Sequence, residues 1–180
     1  MNLKKNTLFG LLILTLFAIA ILTSCGGNDM RPEKALGKFS KEIENENLVK
    51  LSLTIYYMNP STFTPFPLSV DDVISGNYEH KIEIDGTRLA KHIELIKQIN
   101  NNPLTPVKEK SRINARIYYV FENIKGQKIF DVAMWGETDS IFINGVEVDG
   151  HRIFCDAIMP FLPEDATQEL ENLMAVIWPS

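Results

Sequence analysis

Apolar and polar residues alternate along several stretches of this chain, and the period of the alternation separates strands from helices. Leu51, Leu53, Ile55 and Tyr57 alternate with Ser52, Thr54 and Tyr56, which predicts a half-buried strand that Asn59-Pro60 stops. Tyr78, His80, Ile82 and Ile84 alternate with Glu79, Lys81, Glu83 and Asp85, the clearest case in the sequence. Ala115, Ile117, Tyr119 and Phe121 against Arg116, Tyr118 and Glu122 predict a third strand, and Lys125-Gly126 a turn. Lys128 to Trp135 follows as another strand, with Phe130, Val132 and Met134 on one face. Asn144-Gly145 lies inside Ile141 to Val148 and suits the type I′ turn, whose twist matches that of paired strands, so a hairpin is expected there.

Other stretches carry the helical period. Leu36, Phe39 and Ile43 predict a helix over Pro32 to Glu46. Ser69 can cap a short helix through Ile74, ended by Gly76. Asp85-Gly86 reads as a turn, with Thr87 capping a helix whose stripe is Leu89, Ile93, Ile96 and Ile99. Leu104 to Asn114 is a polar connection. Asp149 is read as the cap of a helix that gathers Ile153, Phe154, Ala157, Ile158 and Phe161 on one side. Pro163-Glu164-Asp165 opens a last helix, with proline in the first turn, acids at the positive dipole end and Ala166, Leu170, Leu173, Met174 and Ile177 buried. The expected fold is α+β: an antiparallel sheet of about four to five strands, helices packed mainly on one face, and a C-terminal helix pair.

The start of the chain has a different pattern. Lys4 and Lys5 precede an uncharged apolar run from Leu8 to Leu22, shorter than the about 20 residues of a membrane span. Thr23 and Ser24 are small, and Cys25 follows. Leu22-Thr23-Ser24-Cys25 resembles the lipobox of bacterial lipoproteins at every position. The resemblance implies that the Cys25 thiol takes a diacylglyceryl group, that cleavage precedes it, and that the new amine is often acylated. More than one acyl chain is needed for stable anchoring, at about 0.8 kcal/mol per buried CH₂. The expected organisation is a signal peptide over 1–24, a flexible tether over 25–32, and a single globular domain over 33–180. Membrane lipid, through Cys25, is then one partner. An uncleaved anchor helix is the competing reading. Gly26, where an inner-membrane lipoprotein often has Asp, leaves an outer-membrane or cell-surface site open.

Charge and cysteine content narrow the picture further. The formal net charge is −5; without Lys4 and Lys5, 16 basic residues face 23 acidic ones, or −7. An acidic surface argues against a nucleic-acid partner. With Cys25 lipidated, Cys155 has no partner for a disulfide, so the core alone must hold the fold.

Candidate chemistry is sparse. The three histidines, His80, His92 and His151, lack metal-ligand spacing, and no phosphate-loop, nucleophile-elbow, zinc or calcium motif occurs, so no cofactor is implied. Glu83 and Asp85 share a strand face about 6.6 Å apart, inside the range of an inverting glycosidase pair, although charged residues on a wet strand face are ordinary. Cys155 has apolar neighbours and suits a small buried hydrophobe better than a nucleophile. Phe63 and Phe66 lie in a loop stiffened by Pro60, Pro65 and Pro67. They are expected to tuck onto the core as a lid; left exposed, they would form a low-entropy binding surface. Trp135, at a strand end, could anchor a partner, although core packing is the commoner fate of such a residue. The leading expectation is a non-enzymatic binding module, of inhibitor or immunity type in one version, for an envelope protein or polymer. The alternative is an envelope-directed hydrolase using surface carboxylates. A transporter's binding subunit is disfavoured, because its two lobes would need a longer chain.

Overall fold

The alternation in residues 51–57 becomes the centre of a sheet because one side of it meets helices. The computed structural model describes residues 31–44, 47–100, 104–108, 111–134 and 140–179. In it Leu51–Tyr57 forms β1, with its odd-numbered residues buried and those between half-buried. The other strands are β2 (His80–Asp85), β3 (Ile117–Asn123), β4 (Lys128–Met134), β5 (Ile141–Ile143) and β6 (Val146–Val148). They form one sheet in the order β2-β1-β3-β4-β5-β6, every neighbouring pair antiparallel. The α+β architecture is as expected, with six strands instead of four to five. Asn144 (φ 48°) and Gly145 (φ 78°) take the two positive-φ positions that a type I′ turn requires, joining β5 to β6.

The helices are α1 (Pro32–Glu44), α2 (Val70–Ile74), α3 (Gly86–Ala90), α4 (Ile93–Asn100), α5 (Ile153–Asp156) and α6 (Glu164–Ile177), with 3₁₀ turns at Asn47–Lys50 and Met159–Phe161. Most of them cover one face of the sheet. There Phe39 of α1 stacks on Phe130 (centroids 5.1 Å apart, planes 12°) and tilts against Phe121 at 4.6 Å. The Tyr57 hydroxyl donates to Ala166 O (3.2 Å) and Glu169 Oε2 (3.1 Å) at the start of α6, and His80 Nε2 lies 3.3 Å from Asp165 Oδ2. The Tyr119 hydroxyl donates to Phe154 O at 3.0 Å.

The opposite face is not simply wet. Tyr118, Val120, Ala133 and Phe142 are buried there with Ala115 and with Val73 of α2, and Leu68, Val70 and Ile113 pack against them. All of Ile117–Phe121 is therefore buried, where alternation alone predicts a half-solvated strand. The cover comes from α2, Leu68 and Ile113, in segments with no periodic signal, while the sheet's far edge is closed separately. Pro106 bridges to Val148, Val107 N–H donates to Glu147 O (3.2 Å), and Asp149 N–H donates to Thr105 O (2.9 Å), so residues 104–108 strap the β6 edge.

Four local expectations are corrected. Asp85, not Thr87, caps α3: its carboxylate accepts from Arg88 N–H at 2.9 Å, because the chain enters the helix two residues earlier, at Gly86. The stripe from Leu89 to Ile99 is carried by two helices, α3 and α4, and the His92 ring between them meets Phe161 edge-on at 5.0 Å. Asp149 is not the cap of α5, because the chain there is still paired with the 104–108 strap and the helix starts three residues later; α5 is one turn long, begins after Arg152 without a side-chain cap, and passes into a 3₁₀ turn. Tyr78 does not share the face of His80, Ile82 and Ile84. The Glu79 N–H bonds Tyr57 O out of the ladder's register, and Tyr78 packs edge-on against Tyr56 at 5.4 Å on the other side of the sheet.

Candidate functional site

The loop between β1 and α2 is built from the inside outward. At its base Asn59 makes an Asx turn: its Oδ1 accepts from Ser61 N–H (2.8 Å) and its carbonyl from Thr62 N–H (2.9 Å). Pro60 is buried, and Pro65 and Pro67 fix φ further along. The loop returns at Leu68, whose N–H donates to Asn114 Oδ1 (2.9 Å) and whose carbonyl accepts from Ala115 N–H (2.8 Å). Ser69 caps α2 as expected, and Asp72 closes a capping box with it, a feature beyond the sequence expectation. The two Ser69 bonds hold the Asp72 carboxyl below the usual carboxylate range.

Arg116 holds this loop. It is 2% exposed, and its guanidinium reaches the loop from the residue just before β3. Nε donates to Thr62 O (3.2 Å), Nη2 to Thr64 Oγ1 (2.7 Å), and Nη1 to Asn114 Oδ1 (2.6 Å) and Ala115 O (3.0 Å). Thr64 Oγ1 passes the connection on by donating to Phe66 O at 2.8 Å. A planar fork with several fixed donors suits this task, because it pins backbone and side chain in one geometry.

What the staple presents is apolar. Phe63 is 88% and Phe66 75% exposed, which overturns the expected lid. Both rings stand in solvent because the polar groups of the loop, not its aromatics, bond to the protein. No Asp, Glu, Lys or Arg occurs between Met58 and Val70. Two phenylalanines on a pre-ordered, uncharged loop can be buried by a partner at little entropic cost, with about 1.5–3 kcal/mol available per fully buried ring. The remaining two site residues of the sequence reading, Cys25 and Trp135, lie outside the described residues, as does the Leu22–Cys25 segment.

The carboxylates proposed for hydrolysis are otherwise engaged. Glu83 pairs with Lys81 (2.6 Å), whose hydrogen bond lowers its pKa, the opposite of what a general acid needs. Asp85 caps α3. His151 is exposed, and its Nδ1 accepts from Ile153 N–H at 3.1 Å. An open groove of about 500 Å³ is lined by Ile43, Leu48, Val49, Ala90 and Ile93, with Glu44 and Lys97 at its polar positions. Its described lining holds no histidine and a single acid, not a converging catalytic set. Among the described residues no three His, Cys, Asp or Glu side chains come together as a metal site, and no helix is long and apolar enough to cross a membrane.

Cys155 is buried against Met134, Sγ to Sδ 3.8 Å, and burial pushes its thiol up to about 12. The native protein is therefore expected to react with a thiol reagent at pH 8 at least a hundredfold more slowly than the denatured chain, as a colour assay with and without denaturant would measure. The sign for stability follows from linkage. The protonated thiol is favoured in the fold, so its contribution is fully present below the free-thiol value near 9 and is lost as pH rises toward 12.

No family model, curated protein or solved structure matches the chain. The site therefore rests on its own geometry. Its aromatics and prolines are visible in the sequence; its staple is not. Arg116 falls on the presumed wet side of its strand, and the one hint is the unbroken apolar run Ile117–Phe121, which signals burial on both faces.

Proposed function

We propose that the protein is a bacterial lipoprotein, held at the outer face of a membrane by acylated Cys25, and that it works as a non-enzymatic binding module. The contact surface is the loop carrying Phe63 and Phe66, and the partner is a protein or polymer of the cell envelope. One observation carries this reading: two phenylalanines stand in solvent on a loop that a buried arginine fastens from within. A stable loop with rigid aromatic anchors resembles the centre of a binding hot spot more than a packing defect, because an unpinned loop would fold its aromatics inward.

The test uses the full chain in bacterial cells. A photo-crosslinking phenylalanine analogue replaces Phe63, and adducts are identified after irradiation. A discrete adduct to one envelope component, lost with Phe66→Ser, is the expected result. Each ring is expected to contribute about 2 kcal/mol, so each single Ser variant weakens the isolated complex roughly thirtyfold. Adducts that are diffuse, or unchanged by Phe66→Ser, would overturn the loop's role. Cys25→Ser tests the anchor separately: it should abolish lipid labelling and release the protein from the membrane fraction, and continued labelling would refute the lipobox.

A further inference from the structure

The two edges of the sheet are treated differently. The β6 edge is strapped by residues 104–108, and a proline sits in the strap. The β2 edge has β1 on one side and, among the described residues, no strand on the other. An open edge is a template for pairing with another chain.

The ladder fixes which backbone groups point outward. Met58 N–H bonds Arg116 O, so even-numbered residues at this end of β1 face β3 and odd-numbered ones face β2. Tyr57, Ile55 and Leu53 are opposite His80, Ile82 and Ile84. The N–H and C=O groups of Lys81 and Glu83 therefore point away from the sheet.

The geometry points to a second copy of this chain as the occupant, paired β2 to β2 about a two-fold axis at Ile82. In that register Lys81 of each copy stands opposite Glu83 of the other, so all four outward backbone groups of each strand find a partner and both charge pairs are complementary. Shifting one step in either direction sets Glu83 opposite Glu83, or Lys81 opposite Lys81, and like charges directly opposite are destabilising. The charge pattern thus selects one register. Ile82, half-buried and packed on the core, meets its own symmetry mate at the close, non-hydrogen-bonded position. The interface is isologous and closes on itself, giving a dimer with one sheet running through both copies. This inference stands apart from the Phe63 and Phe66 loop and from the anchor.

Sedimentation of the full chain in detergent tests it with three proteins. The wild type is expected to dimerise with rising concentration. Lys81→Glu sets acids opposite acids and should weaken the dimer at least tenfold. The double variant Lys81→Glu/Glu83→Lys restores complementarity and should restore the dimer. Ile82→Cys tests the register, because the close pair permits an intermolecular disulfide, which Lys81→Glu should suppress. A monomer in all three proteins, a dimer indifferent to Lys81→Glu, or a failure of the double exchange to rescue it overturns the proposal.

Discussion

Gly86→Ala is expected to cost about 3 kcal/mol of stability, the upper end of what overpacking usually does. The cause is a close approach of backbone to backbone. A Cβ on Gly86 would lie 2.5 Å from Val49 Cα and 2.6 Å from its carbonyl carbon, and closer still to the Leu48 carbonyl oxygen. Those atoms belong to the 3₁₀ turn that leads into β1, so no flexible side chain can swing away. Accommodation means moving the turn, and with it Leu48, which is buried, or α3, whose Leu89 is fully buried. In thermal unfolding the variant should melt about 6–12 °C below wild type, given about 2–4 °C per kcal/mol for a chain of this size. An unchanged melting temperature would mean that the turn and α3 do not touch in solution.

Arg116→Met is expected to be nearly as costly, about 3 kcal/mol, and to change the loop more than the core. Methionine keeps much of the volume but removes every donor, so Thr62 O and Thr64 Oγ1 lose the bonds they accept from the guanidinium and Asn114 Oδ1 keeps the one from Leu68 N–H. Water can reach part of this cluster, which limits the loss; the loop itself loses its staple. Chymotrypsin reads out the difference. The Phe63–Thr64 bond should resist cleavage in wild type and be cut readily in the variant, while Pro67 shields the bond after Phe66. A variant that is less stable but equally resistant would show that the prolines and the Asn59 turn hold the loop unaided.

The two results differ in how far the sequence foretells them. Alternation located β1 and β2, the Asn144-Gly145 pair located the last hairpin, and Ser69 with Gly76 marked α2, because each is a local pattern with a local cause. Gly86 and Arg116 act through residues distant in the chain. Nothing within ten positions of Arg116 announces Thr62 and Thr64, and an Asp-Gly pair reads as a turn whether or not a remote carbonyl presses on it. The covered second face escaped for the same reason. Its cover is a five-residue helix with the residues just before it and the segment leading into β3, none long enough to show a period. The exposed phenylalanines are the instructive failure: hydrophobicity argues for burial, and only the distribution of the loop's hydrogen bonds decides otherwise.

The strand order also bears on how the polypeptide acquires its shape. Because β3 lies beside β1, Tyr57 pairs with Ile117, 60 positions later, and Leu51 with Asn123, 72 positions later. Closing so long a loop is entropically slow, so the central ladder has to wait for most of the polypeptide to be available. A nascent chain emerging end-first can make its early helix and first strand pairing but not its keystone until Asn123 has followed. Such delayed closure leaves the emerging chain pliable until about two thirds of it is available.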